Sequence, residues 1–430
     1  MNLVTTEPIK PRKTKNQNDI NRTVLMLCYF FPPMRTTGVT RSKEFARNLS
    51  NLGWQPIILS VKNSKDPWTR DFNEPIPSGI EIHRAMEINV PQVIRLLDGM
   101  RETILKILHY KYRPNVFHDW LCVPDHHIGW LPYIKGVALA RRSRSIYVSC
   151  SPFSASLMAT VIGIVSRKPI ILDFRDAWTL NPYIPHSRLH ALIAKLQEKW
   201  VFSRANKIIL NTPGTKALYM EHYPQFATKF ACIPNGFDPL PEPEPFKNNN
   251  DKTKLFRIVH VGHFYGPRQP DKLLDSLADI ANPNIQFVQI GKPFDSLSRY
   301  EKQVNIKIIP PLPHNDALKL MQSANLLYLK QGTVPNIHHH IATAAKTYEY
   351  LATGLPILAE CPPGDNAELI SRYSTDSYLV NDEDPAAIKA AVLAAYANSG
   401  NVKKNITQDF ASNFNRAALA GQLAKIIEDL

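Results

Sequence analysis

Lys346 and Glu349 stand three residues apart in K-T-Y-E-Y-L-A-T-G-L-P-I-L-A-E, residues 346–360. At that spacing a lysine and a carboxylate share one face of a helix. A lysine in a first helical turn opposes the helix dipole, and a bound anion would relieve the conflict. A carboxylate one turn further on is well placed for the hydroxyls of a ribose. A solvated Lys–Glu helix pair satisfies the same spacing, and both readings stay open. A second cluster is D-F-R-D-A-W, with Asp173, Arg175 and Asp176 beside Trp178. Two carboxylates, an arginine and a tryptophan after an apolar run suit ligand binding, or an internal salt bridge that fixes the loop. Three consecutive histidines, His338 to His340, precede the first cluster, and loop histidines are most often solvent-exposed.

These residues need elements to hold them. Residues 325–329 form an apolar run that predicts a buried strand, and 342–352 carry good helix formers without a breaker. Gly354 and Pro356 supply a stop, and 355–359 predict the next strand. Strand, loop, helix, turn and strand make one parallel α/β unit, whose ligands sit at the carboxyl ends of the strands. The same pattern opens the chain: strand 24–31, a stop at Pro32-Pro33, loop 34–40 containing Gly38, helix 41–52 and strand 55–61. The loop is not a G-x-G-x-x-G fingerprint, which weakens a dinucleotide reading; Gly38 permits either a simple turn or close backbone approach to a ligand. Further strands are predicted at 80–84, 145–150, 169–174, 207–211 and 230–233, and a second series at 256–261, 285–290, 306–309 and 378–380. Helices are predicted at 154–164, 189–203, 316–323, 385–397 and 414–429. Residues 93–112 form an amphipathic helix whose polar side is mostly basic; its apolar side faces either the core or, lying in plane, a membrane surface.

At 430 residues the chain calls for two domains. The proline-rich, then polar, stretch 239–252 is the expected linker. The expected order is a disordered basic lead-in (1–21), an N-terminal Rossmann-like domain (22–238), the linker, a C-terminal Rossmann-like domain (253–406) and a C-terminal helix (407–430) that packs back toward the first domain. The fold class is α/β, two doubly wound domains facing a cleft. Five scattered cysteines without a C-x-x-C pair argue against a zinc site or a disulfide framework, and fit a reducing compartment. The lead-in lacks the apolar core of a signal peptide, and the longest apolar run, 153–166, is too short to span a bilayer. The net charge of +14 is uneven: residues 1–238 carry 32 Lys and Arg against 17 Asp and Glu, and the rest carry 19 against 20. A basic first half suggests an acidic partner. Nucleic-acid signatures are missing, which leaves anionic lipid headgroups. No P-loop is present, so an NTPase is not expected.

The ordered set Tyr29-Phe30-Phe31-Pro32-Pro33 with Gly38, Ser149-Cys150-Ser151-Pro152, D-F-R-D-A-W, P-N-G-F-D (234–238), V-H-V-G-H-F-Y (259–265) and K-T-Y-E-Y-L-A-T-G-L-P-I-L resembles the retaining nucleotide-sugar glycosyltransferases of the two-Rossmann-domain (GT-B) type. The likeness runs from Val24 to the C-terminus and is strongest to the bacterial family-four group that builds surface polysaccharides. It implies transfer of a sugar from a nucleotide-diphosphate donor to a lipid-linked saccharide, with retention, by a cytoplasmic enzyme peripheral on the inner face of the membrane and needing no metal or cofactor. Glu349 is then the ribose-binding glutamate, and the backbone of Thr343, Ala344, Ala345 and Lys346 cradles the diphosphate. His263 and Arg268 occupy the places of a family arginine and lysine, with Arg268 the cation that stabilises the leaving group. Gly38 approaches the donor, and Asp173, Arg175 and Asp176 face the acceptor. Two departures stand out: Ile341 occupies the place of the family's first donor glutamate, eight residues before Glu349, and the region 149–152 lacks a histidine common in relatives. A sugar-nucleotide-binding scaffold without turnover, and a nucleotide-sugar epimerase, are the competing expectations.

Overall fold

The computed structural model describes residues 22–34, 36–62, 77–108, 122–182, 187–246, 255–266, 268–334, 337, 339–374, 376–381, 384–400, 404 and 406–430. The lead-in, the linker beyond residue 246, His338 and the end of the 93–112 helix lie outside the described residues.

A first sheet has seven strands in the order β3-β2-β1-β4-β5-β6-β7. These are β1 (Thr23–Leu27), β2 (Gln55–Val61), β3 (Glu81–Ala85), β4 (Ser145–Ser149), β5 (Ile170–Phe174), β6 (Lys207–Leu210) and β7 (Phe230–Cys232). The helices between them are α1 (Thr37–Asn51), α2 (Val90–Ile107), α3 (Tyr133–Ala140), α4 (Ser154–Ser166), α5 (Arg188–Arg204) and α6 (Pro213–His222). β1 pairs in parallel with β2 and β4, and every residue of β1, β4 and β5 is buried, as strands covered on both faces must be.

A second sheet, all parallel, runs β10-β9-β8-β11-β12-β13. Its strands are β8 (Phe256–Val261), β9 (Ile285–Ile290), β10 (Asn305–Ile309), β11 (Leu326–Lys330), β12 (Ile357–Glu360) and β13 (Tyr378–Val380). The accompanying helices are α7 (Asp271–Ile280), α8 (Leu297–Tyr300), α9 (His314–Met321), α10 (Ala345–Thr353), α11 (Asp365–Tyr373), α12 (Pro385–Ala397), α13 (Gln408–Phe414) and α14 (Arg416–Glu428). In both sheets the order reverses beside the first strand, at β1/β4 and at β8/β11, the places where doubly wound sheets bind ligands. By contact density the chain divides into two compact units, Met1–Asp173 with His186–Ile208 and Ala424–Leu430, and Phe174–Pro185 with Ile209–Leu423.

Three local outcomes differ from the sequence pattern. The helix expected at 414–429 is present as Arg416–Glu428, and its start is set by Asn415, whose extended backbone bridges Phe237: Phe237 N–H donates to the Phe414 carbonyl, and Arg416 N–H to that of Phe237 (3.0 Å each). Gly236 permits this approach, because a Cβ there would lie 2.3 Å from the Phe414 carbonyl oxygen. In α2 Ile94 is buried, while Val93, Leu96, Leu97, Met100, Ile104 and Ile107 are exposed, so the helix does not turn its apolar stripe to the core.

The third is Asp173. It is fully buried at the end of β5, and its carboxylate accepts from Arg41 Nε (2.8 Å), Arg41 Nη2 (3.0 Å) and the Tyr147 hydroxyl. It therefore braces the strand end from inside instead of facing outward. Asp173→Ala leaves the Arg41 guanidinium buried without its counter-ion. The expected loss is ~3–5 kcal/mol, read as a lowered denaturation midpoint, with nucleotide binding by the surviving folded fraction unchanged.

Candidate functional site

The carboxyl end of β8 is tied to α10 by two side chains one turn apart. Lys346 Nζ donates to the Val261 carbonyl (2.8 Å), and the Tyr350 hydroxyl accepts from Val261 N–H (3.0 Å). The chain then turns at Gly262 with φ +119°, and a Cβ there would stand 2.8 Å from Lys346 Nζ. Only glycine gives both the backbone angle and the room. Lys346 Nζ also lies 3.2 Å from Nε2 of the buried His260. His260 Nδ1 is 2.9 Å from the Tyr328 carbonyl, so its proton sits there and Nε2 accepts from the lysine. Burial, together with the Lys346 charge, holds His260 well below its ordinary range and keeps it neutral.

Burial also pushes the Lys346 amine down to about 8; Glu349 works to raise it and Arg268 to lower it. These three groups therefore share one electrostatic neighbourhood at the amino end of α10. No side chain caps that helix: its N-cap is Ala344, whose carbonyl takes the Thr347 amide (3.0 Å), leaving those of Ala345 and Lys346 for a ligand. Arg268 is fixed by a tight turn with Tyr265, whose hydroxyl accepts from Nη1 (2.6 Å) and whose ring lies 5.0 Å beneath the guanidinium. His263 is exposed, and its Nδ1 accepts the Lys292 backbone N–H (3.0 Å). Burial, then Lys292 and Lys346, hold it below its usual value, so at neutral pH it is an Nε2–H donor. One uncharged donor, one fixed cation, one tunable cation and a row of amides suit a diphosphate.

Glu349 is mostly buried, one turn into α10. Its Oε1 meets His314 Nε2 at 3.3 Å and Arg416 Nη2 at 3.8 Å. Arg416 Nη1 is held in turn by Asp238 (2.5 Å), the last residue of P-N-G-F-D. Both Glu349 contacts fall on Oε1, and Oε2 has no protein partner among the described residues. His260, His314 and Arg416 are the residues that sequence reasoning missed; each acts across a long stretch of chain, and only Asp238, inside a motif already singled out, gave a hint.

The loop before α10 is pinned at both ends. His340 exchanges backbone bonds with Pro363 and Asp365, and a Cβ on Gly364 would lie 2.2 Å from the His340 carbonyl oxygen. His340 is buried, whereas His339 is exposed, so among the described histidines of the run the expectation of solvent exposure holds for His339 and not for His340. Ile341 contributes its carbonyl, which accepts from Thr212 Oγ1 (2.9 Å) and Thr215 Oγ1 (3.4 Å). Asp365 accepts the Gly214 N–H on both oxygens (3.1 and 3.0 Å) and meets His339 Nε2 at 3.1 Å. Among the described residues, one group, His339, Asp365 and Glu368, brings possible metal-ligand atoms within 4.8 Å of one another. Asp365 already serves the Gly214 amide, and the group sits at the amino end of α11, where a cation is disfavoured.

Lys346 thus lies within electrostatic range of Arg268, His263 and Glu349. Arg175 and Asp176 follow β5, 3.9 Å apart, and line a shallow depression with Asn181, Asn211, Thr215 and Ile341. Gly38 is buried in the first turn of α1, in the other compact unit.

The Lys346 charge makes a pH prediction. Diphosphate binding favours the ammonium form, so affinity is greatest below about pH 8 and falls as the pH rises through that value, by about tenfold per unit until the bound amine also titrates. Calorimetry across pH 6.5–9.5 should show this decline, and Lys346→Met should flatten it. Fold stability moves the other way: the unfolded lysine holds its proton to higher pH, so this group adds stability between about 8 and its ordinary value near 10.5.

No protein-family model matches the sequence. No curated protein matches it at significance either. Solved structures do share the fold. HepE from Anabaena, in complex with UDP-glucose, is 13% identical with a TM-score of 0.62, over 95% of this chain and 100% of its own. A glycosyltransferase from Rickettsia africae is 14% identical with a TM-score of 0.60, over 95% and 98%. The sucrose-phosphate synthase of Thermosynechococcus elongatus is 15% identical with a TM-score of 0.59, over 95% and 98%. The fold is that of the GT-B glycosyltransferases: two Rossmann-like α/β domains built on parallel sheets of seven and six strands.

Proposed function

We propose that this chain is a glycosyltransferase that moves a sugar from a nucleotide-diphosphate donor to a saccharide acceptor. The observation that carries the reading is that Arg268 and Glu349 both act on the charge of Lys346 at the uncapped amino end of α10, beside the β8/β11 switch point, where Lys346 holds the turn after β8. In this reading the first-turn amides and Lys346 hold the diphosphate, Arg268 neutralises the charge that grows as it leaves, His263 donates to it, and Glu349 Oε2 takes the ribose hydroxyls. The UDP-glucose bound to a protein of the same fold supports the donor class.

Transfer proceeds with retention. The acceptor hydroxyl attacks the anomeric carbon on the face from which the diphosphate departs. The bond from carbon to the diphosphate oxygen breaks as the new glycosidic bond forms, and a phosphate oxygen of the leaving group takes the hydroxyl proton. The protein supplies position and fixed charge, with neither a nucleophile nor a metal of its own. Arg175 and Asp176 serve the acceptor, a lipid-linked saccharide of a surface polysaccharide, at the inner face of the cytoplasmic membrane.

Ile341 favours one rival reading, a donor-binding scaffold without turnover, because it offers only a backbone carbonyl where relatives carry a carboxylate. Incubation with a panel of nucleotide sugars and lipid-linked acceptors, read as nucleoside diphosphate release, distinguishes the two. Acceptor-dependent release from one donor supports the transferase. Tight donor binding without release points to the scaffold, and conversion of the donor without acceptor points to an epimerase.

A further inference from the structure

The exposed side of α2 is one continuous apolar surface. At 100° per residue, Val93, Leu96, Leu97, Met100, Ile104, Ile107 and Leu108 fall within an arc of about 120°, and all seven are exposed, Ile107 at 71%. A second group of exposed apolar side chains flanks the helix in the chain. A bridge between Glu87 and Trp130 and the bond from Leu131 N–H to the Met86 carbonyl (2.9 Å) set Met86 and Ile88 beside Leu131 and Ile134. Met86 is 69% exposed and Ile134 89%. Soluble surfaces rarely leave so many large apolar side chains together without a partner.

The cations sit off the helix stripe. On α2 Arg95 and Lys106 fall on the side opposite the arc, where Lys106 pairs with Glu102 (2.8 Å). Next to Met86 and Ile134, an open depression at the edge strand β3 is lined by Lys62, His83, Arg84, Lys135 and Ile82. Lys135 Nζ donates to the Arg84 carbonyl (2.6 Å), and the Arg84 guanidinium donates to the Val61 carbonyl (3.1 Å), which fixes both cations at the mouth. The nearby carboxylate, Glu81, is already matched by His83 (2.8 Å) and Arg142 (3.2 Å).

We infer that this face docks on an anionic phospholipid bilayer, with the α2 stripe, Met86 and Ile134 in the acyl boundary and the Lys62–Arg84–Lys135 depression on lipid phosphates. A helix with a broad apolar arc opposite a charged face lies in the plane of such an interface. The excess of basic residues in the first 238 positions, 32 against 17, matches it in charge. A second copy of the chain meets the apolar area less well, because a two-fold interface would set the basic depressions of the two copies on one shared face. The surface deepens the functional reading above and rests on it only for its purpose, delivery to a lipid-linked acceptor.

The test is sedimentation of the full chain with vesicles of phosphatidylcholine, with and without phosphatidylglycerol. The expected result is binding to the anionic vesicles only, weakening as salt rises. Met100→Asp with Ile104→Asp, at positions already exposed, should reduce that binding by about tenfold or more without lowering the melting temperature. Lys62→Glu with Lys135→Glu should remove the preference for anionic lipid. Equal binding to both vesicles, no binding to either, or full binding by the Met100/Ile104 variant overturns the inference. So does a dimer in gel filtration that this variant dissolves. Donor affinity measured without vesicles should be the same in the variant and the parent, so a failure of the donor reading and a failure of the membrane face are told apart.

Discussion

Arg268→Ala should lower the turnover number for sugar transfer by about 10²–10³-fold, the usual cost of removing one preorganised charge from a developing anion. The residue suits that measurement because its fixed partner is Tyr265, in a surface turn, so its loss removes little packing. A guanidinium, unlike a buried amine such as that of Lys346, is a cation at every pH at which proteins work. The effect should therefore be independent of pH, and should fall on turnover more than on donor affinity, since the charge it offsets is greatest in the transition state. Arg268→Lys should recover part of the rate, because a cation remains while the tie to Tyr265 is altered. Initial rates of nucleoside diphosphate release, with a thermal melt beside them, read both quantities. Unchanged turnover in a folded Arg268→Ala protein contradicts the site.

Glu349→Ala acts twice. It removes a charged acceptor from the ribose, worth about 1.5–3 kcal/mol, or roughly 10- to 150-fold in donor affinity. It also removes the carboxylate that raises the Lys346 amine, so that amine drops further below about 8 and carries less charge near neutrality. Donor binding should then weaken at lower pH than in the parent. Glu349→Gln separates the two effects: the amide keeps an acceptor oxygen in place but gives no charge to Lys346, so the shifted pH profile persists while part of the affinity returns. The fold should survive, because Arg416 keeps Asp238 when Glu349 is lost. Calorimetric titration at several pH values checks both. An unshifted profile would mean that Lys346 and Glu349 do not act on the same ligand.

Much of the second sheet was legible in the sequence. β8, β9 and β13 run where their apolar patterns place them, β8 and β9 because strands buried on both faces have little else to respond to. The lysine and glutamate of α10 share a neighbourhood as their spacing requires. What the spacing could not show was the work Lys346 already does, holding Val261 and His260 next to Gly262, since that depends on the approach of β8 and α10. The supports of Glu349 were hidden for the same reason: His314 and Arg416 come from helices far along the chain. The helix start after Asn415 has no local signal, because its cause is Phe237. In D-F-R-D-A-W the composition is informative but the directions are not. Asp173 is drawn inward by Arg41 and Tyr147, while Arg175 and Asp176 leave the strand, and only the buried arginine distinguishes one aspartate from the other.

A structure determined with the turned-over nucleotide sugar tests the central claim most directly. The account predicts diphosphate oxygens within ~3 Å of the amides opening α10, with the Arg268 guanidinium and Lys346 Nζ on the same group and the ribose hydroxyls on Glu349 Oε2. A donor bound elsewhere on the chain, with Arg268 still on Tyr265 and Glu349 in contact only with His314 and Arg416, would contradict it.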